Sequence, residues 1–158
     1  MIKVGIGQDS HRFDSDDSKK DLVLAGVKIA KHTPLAGNSD ADVVLHAITN
    51  AISSVTGVNI LGEIADKMCA AGITDSRAYI KEALKYANDM QIVHVAVSIE
   101  CKTPKLAKVI DEMKESIAGI LSVPKGSVGI TATSGENLTP FGQGLGIAAI
   151  CILTVSCI

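Results

Sequence analysis

Two short polar clusters carry the residue types that metal chemistry needs. Asp9 and His11 stand two residues apart at the end of an apolar opening run, IKVGIG over 2–7. In extended chain alternate side chains project to the same face, so the pair can present a carboxylate oxygen and an imidazole nitrogen together. The same short pattern also suits a plain turn, with Asp9 and Ser10 capping local backbone and His11 at the surface. His46 lies in a segment, 40–55, whose apolar residues at 44, 47, 48, 51, 52 and 55 follow helical spacing. There it shares a stripe with Asp42, Asn50 and Ser53, away from the apolar stripe of Val44, Ile48, Ala51 and Val55. A polar stripe of this kind can be a solvated face or a ligand-bearing one.

Ser39-Asp40-Ala41-Asp42 reads as a helix start, with Ser39 accepting from the backbone at Asp42 and the carboxylates at the positive end of the helix dipole. Asp42, four residues before His46, could also orient that ring. Near the C-terminus, Thr131-Ala132-Thr133-Ser134-Gly135-Glu136 precedes Pro140-Phe141-Gly142-Gln143-Gly144. Hydroxyls and backbone N–H groups hold phosphate oxygens, and a lone Glu can hold a hard cation. An ordinary polar turn has the same composition.

These clusters need elements to position them. The run 2–7 reads as a strand, pairing antiparallel with LVLAGVKIA over 22–30 across a polar turn of Asp14, Ser15, Asp16, Asp17 and Ser18. Helices are expected over 40–55, over 76–89, and from Thr103-Pro104, an N-cap with Pro in the first turn, to Leu121. Extended runs cover 92–101, 127–133 and, after a Gly-rich loop, 147–155. The order ββ-α-α-β-α-β-β predicts one α+β domain over 1–158: a mixed or antiparallel sheet of four to five strands, with helices packed on one face. The strand segments VHVAVSI and IAAICILTV are apolar on both parities. They need cover on both faces, which points to a homo-oligomer built through its sheets.

The length of 158 residues suits one domain, and 47% hydrophobic with 3% aromatic residues predicts an aliphatic core. A net charge of -2 without a basic run argues against nucleic acid and anionic membrane as partners. No apolar stretch is long enough to span a bilayer, and no signal-peptide layout precedes the first strand, so a cytoplasmic protein is expected. Cys69, Cys101, Cys151 and Cys157 form no C-x-x-C pair, which disfavours a cysteine zinc site or a disulfide framework.

Taken in order, G-I-G-Q-D-S-H-R-F over 5–13, L-A-G-N-S-D-A-D-V-V-L-H-A over 35–47, T-P-K-L over 103–106 and T-A-T-S-G-E over 131–136 resemble the 2-C-methyl-D-erythritol 2,4-cyclodiphosphate synthases. The resemblance runs through nearly the whole chain. It implies a homotrimer whose sheets face the three-fold axis and whose active sites lie between subunits. It implies Zn2+, structural and Lewis-acidic, held by Asp9, His11 and His46, with Mg2+ or Mn2+ bridging a substrate diphosphate near Glu136. The implied substrate is 4-diphosphocytidyl-2-C-methyl-D-erythritol 2-phosphate, cyclised with release of CMP. Asn38 and Ser134 take the positions of the family's transition-state stabilising groups. Ser10, Ser39, Glu63, Ala65, Cys101, Lys105, Leu106, Thr133 and Gln143 take those of its substrate contacts, with segment 101–107 at the cytidine pocket.

The chain departs from the family pattern at several of these positions. Asn38 replaces the usual His before the Ser-Asp pair, Asn50 an Asp, and Thr131 a basic residue. The Phe-Pro-Asp-Thr-Asp loop is absent; the chain reads G-E-I-A-D-K-M-C-A-A-G over 62–72, with Glu63 the match to the ribose-binding Asp and Asn59 an alternative. The late Gly-Arg-x-Glu-Gly is here Gly142-Gln143-Gly144-Leu145-Gly146. Without the Arg, an isoprenoid diphosphate at the trimer axis would lose its bidentate partner, so weak or no binding there is expected. The replaced 63–72 loop also leaves a second reading, a zinc-stabilised trimer of this family without catalysis.

Overall fold

The computed structural model describes residues 1–15 and 17–157. The opening run extends further than expected, as one strand β1 (Ile2–Arg12) that takes in Asp9 and His11. Its partner is the last strand: β1 pairs antiparallel with β6 (Gly146–Cys157), so that Ile6 faces Ile152 and His11 faces Ile147. β6 pairs antiparallel with β4 (Met90–Glu100), and β4 pairs parallel with β5 (Val128–Thr133), giving a mixed four-stranded sheet in the order β1-β6-β4-β5.

The expected pairing of the first strand with 22–30 is not present. That run folds on itself into a two-stranded hairpin, β2 (Leu22–Leu24) and β3 (Val27–Ile29), across Ala25 and Gly26, both with positive φ. The two-residue turn makes the local pairing short-range, and Leu22, Leu24, Val27 and Ile29 then bury together in the core. Asp16, placed in the preceding turn from sequence, lies outside the described residues.

Helix α1 (Val43–Thr56) starts at Asp42, whose carboxylate accepts from the Leu45 N–H, and ends at Gly57 in the left-handed region, whose N–H donates to the Ser53 carbonyl. Ser39 is therefore not its N-cap, because the chain turns through Ala41 at positive φ before the helix begins. α1 is buried along most of its length, with Val43, Val44, Leu45, Ala47, Ile48, Ala51 and Ile52 almost inaccessible. The segment after it, read as a loop from sequence, holds a helix α2 (Glu63–Ala70), and α3 (Ser76–Leu84) follows, ending five residues short of the expected Asp89. α4 (Ile110–Leu121) begins well after Thr103-Pro104. The backbone of the intervening stretch is committed elsewhere: the N–H of Cys101 donates to the Thr133 carbonyl and that of Lys102 to the Phe141 carbonyl, while Leu106 sinks into the core. No helix among the described residues is long and apolar enough to cross a membrane.

One sheet face is covered. Gly5, Gly7, Val95, Val97, Ile99, Cys151, Leu153 and Val155 turn inward against the helices. The alternate residues Ile2, Val4, Ile6, Ile150 and Ile152 stay exposed on the other face. The helices thus pack on one side, as the element order predicts.

Candidate functional site

Asp9 and His11 occupy the helix-facing parity at the far end of β1, where the first turns of α1 pass. His46 points from α1 toward them. The Asp9 Oδ2 lies 3.0 Å from His11 Nε2 and 3.0 Å from His46 Nδ1, and the two imidazole nitrogens lie 3.3 Å apart. Each of the three residues thus offers one ligand atom, all within 4.8 Å of one another.

The outer nitrogens show why these atoms converge. His11 Nδ1 donates to the Ala36 carbonyl at 2.8 Å. His46 Nε2 donates to Ser76 Oγ at 2.8 Å, and Ser76 in turn donates its hydroxyl proton to Asp40. With both outer nitrogens holding hydrogens, His11 Nε2 and His46 Nδ1 present lone pairs toward the Asp9 carboxylate. Three acceptors so close together require a cation between them, either a proton or a metal ion, and one carboxylate with two imidazoles suits Zn2+ with a free fourth position. The residues present fit the metal.

The electrostatics describe the metal-free case, in which protons take the cation's place. Burial works to raise the Asp9 carboxyl, but hydrogen bonds from His11 and His46 outweigh it and bring the pKa to about 2. The bond that protonated His11 donates to Asp9 raises the pKa of His11. Tyr79, its ring centroid 6.0 Å from that of His46, donates to the Ile73 carbonyl, and burial is the main cause that pushes its hydroxyl up to about 12. It packs there as a neutral wall.

Asp42 does not orient His46. Its carboxylate instead accepts from the N–H groups of Ala25, Gly26 and Leu45 at 2.9, 2.6 and 3.0 Å, tying the β2–β3 turn to the start of α1. The Ala25 and Leu45 donors are buried and have first claim on it.

The expected substrate residues divide between two hollows. A pocket of about 230 Å3 gathers Asn38, Ser39 and Ala65 around the triad, joined by Asp66, Cys69 and Tyr79. A second, of about 290 Å3, gathers Cys101, Lys105, Leu106, Thr133 and Ser134. Four residues line neither. Ser10 has the opposite parity on β1 and is exposed. Glu63 is on the solvent side of α2, bonded to Lys67 at 2.7 Å. Glu136 and Gln143 are exposed in the turns after β5, Glu136 at φ 49 beside Ser134 and Gln143 reaching the Asn137 carbonyl. Ser76, Asp66 and Cys69 were not singled out from sequence. Only the Ile64, Ala65 and Met68 spacing hints at the helix that brings Asp66 and Cys69 to the pocket, and no local pattern announces Ser76.

The two hollows are tied to the two outer strands of the sheet, β1 and β5. The sequence profile of the YgbB family matches residues 2–156. The chain belongs to this family. Relatives named 2-C-methyl-D-erythritol 2,4-cyclodiphosphate synthase include one from Chlamydia caviae, 52% identical over 158 residues, covering 99% of this chain and 90% of its own length. Another, from Chlamydia muridarum, is 53% identical, covering 98% of this chain and 88% of its own length. Among solved structures, the bifunctional IspDF from Campylobacter jejuni superposes at a TM-score of 0.90 with 26% identity, over all of this chain and 43% of that one. The Plasmodium falciparum IspF complex with CDP superposes at 0.84 with 23% identity, over 99% of this chain and 96% of that one, a likeness of fold.

Proposed function

We propose that this chain converts 4-diphosphocytidyl-2-C-methyl-D-erythritol 2-phosphate into 2-C-methyl-D-erythritol 2,4-cyclodiphosphate, releasing CMP. The observation that carries the reading is the convergent Asp9, His11 and His46 donor set inside a pocket, in a chain about half identical to relatives named for that synthesis. An oxygen of the 2-phosphate attacks the β-phosphorus, a new P–O bond closes the eight-membered ring, and the bond to the bridging oxygen breaks so that CMP carries that oxygen away.

Zn2+ held by Asp9, His11 and His46 would supply Lewis acidity to a phosphate oxygen, drawing off charge that builds as the ring closes. Asn38 and Ser39, at the rim of the same pocket, offer an amide and a hydroxyl to phosphate. Thr133 and Ser134 do the same in the other hollow, where Lys105 and Leu106 frame space for a pyrimidine base. The single carboxylate of Glu136 is too sparse to hold Mg2+ or Mn2+ alone; diphosphate oxygens would complete the coordination. Positioning of the two phosphoryl groups supplies much of the remaining acceleration.

One chain does not bring its two hollows together. β1 and β5 are three strand spacings apart, about 14 Å at ordinary sheet geometry, so a second copy must bring its β5 end to the triad of the first. The exposed Ile2, Val4, Ile6, Ile150 and Ile152 offer the apolar face for that association. A homotrimer with active sites between subunits satisfies both requirements. Gln143 in place of an arginine predicts that isoprenoid diphosphates bind its axis weakly, and tight binding in calorimetry would overturn that.

The non-catalytic reading drew on the replaced 63–72 loop. Helix α2 in its place still walls the triad pocket through Ala65, Asp66 and Cys69, so the loop no longer supports it. Purified protein given the diphosphocytidyl substrate, Zn2+ and Mg2+ should form CMP and cyclic diphosphate in equal amounts. No CMP from folded, zinc-loaded protein would overturn the proposal.

A further inference from the structure

Two groups from separate segments, Ser76 and Asp40, join at the back of His46. His46 Nε2 meets Ser76 Oγ at 2.8 Å, Ser76 donates to Asp40 Oδ1, and Asp40 also accepts from the N–H groups of Ser76 and Asp42 at 3.0 and 3.1 Å. Ser76 is fully buried. Ser39 Oγ also approaches Nε2, but at 3.4 Å and while accepting from the Ala41 N–H, so Ser76 is the principal partner.

We propose that Ser76 and Asp40 are positioning residues for the metal: the Asp40–Ser76–His46 chain fixes the tautomer and ring plane that present His46 Nδ1 as a ligand. This rests on the metal reading of the triad. A carboxylate at the end of the chain polarises the serine hydroxyl, which accepts the Nε2 hydrogen more strongly and makes Nδ1 the better donor. The chain also couples metal to substrate. Asp40 lies in the loop that carries Asn38 and Ser39, and the Asp40 N–H donates to the Thr74 carbonyl at 2.9 Å, so the same groups pin that loop to the start of α3. Asp75 also caps α3, accepting from the Arg77 N–H at 2.9 Å, so the start of that helix does not rest on Asp40 alone.

The test measures zinc affinity by chelator competition, together with the visible absorption of the Co2+-substituted protein, for the wild type, Ser76→Ala, Asp40→Asn, their double variant and Asp75→Asn. Removing an outer partner of a ligand histidine costs roughly 10–100-fold in metal affinity. Ser76→Ala should show that loss with a shifted Co2+ band. The double variant should lose little more than Ser76→Ala alone, because the two act in series. Asp75→Asn should lower Tm while leaving zinc affinity unchanged. A loss under about fivefold in Ser76→Ala, additive losses in the double variant, or an equal loss in Asp75→Asn would each overturn the proposal. Wild type that takes up no zinc would instead remove the metal reading beneath it.

Discussion

A Cβ on Gly7 would overlap the carbonyl oxygen of Ala47, so β1 and α1 approach as closely as bare backbone permits. Ala47 follows His46 and Gly7 precedes Asp9 by two, so this contact sets the width of the metal site. Gly7→Ala would push the helix off the strand, with overpacking costing roughly 1–3 kcal/mol. It should also widen the gap between Asp9 and His46 and weaken zinc binding. Urea denaturation and zinc titration check both. Unchanged zinc affinity in a destabilised variant would show that the approach serves packing alone.

The triad makes opposite predictions for the metal-free and metal-bound protein. Asp9, held at about 2, stabilises the fold above the ordinary carboxylate pKa of 3.8, and that contribution is lost as pH falls toward 2. His11, raised above 6.5 by its bond to Asp9, stabilises fully below 6.5, and that contribution is lost as pH rises through its folded pKa. The metal-free trio therefore contributes most between these limits. Zinc must displace the His11 proton, so its affinity falls with falling pH, by about tenfold per unit for each proton displaced. Calorimetry across pH 6–8 should show a metal-free Tm contribution that declines while the zinc-induced rise in Tm grows. A zinc effect independent of pH would remove His11 from the ligand set.

Much of the site was legible because its geometry is periodic. Asp9 and His11 share a face by strand alternation, and His46 falls off the apolar stripe of its helix; both follow from backbone repeat alone. Ser76 is thirty residues from His46, and no repeat relates them. The partner of β1 was hidden for the same reason, since β6 lies at the other end of the chain while the nearby 22–30 run satisfies itself in a tight hairpin. α2 escaped notice because only Ile64, Ala65 and Met68 mark its inner side, too few in eight residues to separate a helix from a loop. At Thr103-Pro104 the local signal for a helix start was real, but tertiary hydrogen bonds to Thr133 and Phe141 override it.

Asp42 is a structural anchor by the same bonds that keep it from His46. Asp42→Ala would orphan two buried N–H groups, of Ala25 and Leu45, and a half-buried one, of Gly26, and uncap α1. Each unpaired buried donor costs about 1–3 kcal/mol, so a loss of roughly 2 kcal/mol or more in urea denaturation is expected. Burial holds the Asp42 carboxyl up at about 6, against 3.8 when unfolded. A raised carboxyl contributes most while protonated in the folded state, so its contribution falls as pH climbs from about 4 to about 6. The penalty of Asp42→Ala should accordingly shrink across that range. A constant penalty would mean the carboxylate stays charged throughout.

The open sheet face gives the last prediction, and it separates assembly from metal binding. Ile6 and Ile152 are register partners on β1 and β6, 63% and 45% exposed, in the middle of the uncovered face. In a trimer they would be buried, and Ile152→Lys would place an unpaired charge in an apolar contact, which costs more than an interface of this kind can offset. The triad lies on the opposite face, so the variant should still bind zinc with wild-type affinity. Sedimentation should show it as a monomer, and turnover should vanish because the triad and the 101–134 hollow then sit on separate molecules. A monomeric Ile152→Lys that still releases CMP would show that one chain holds a complete active site.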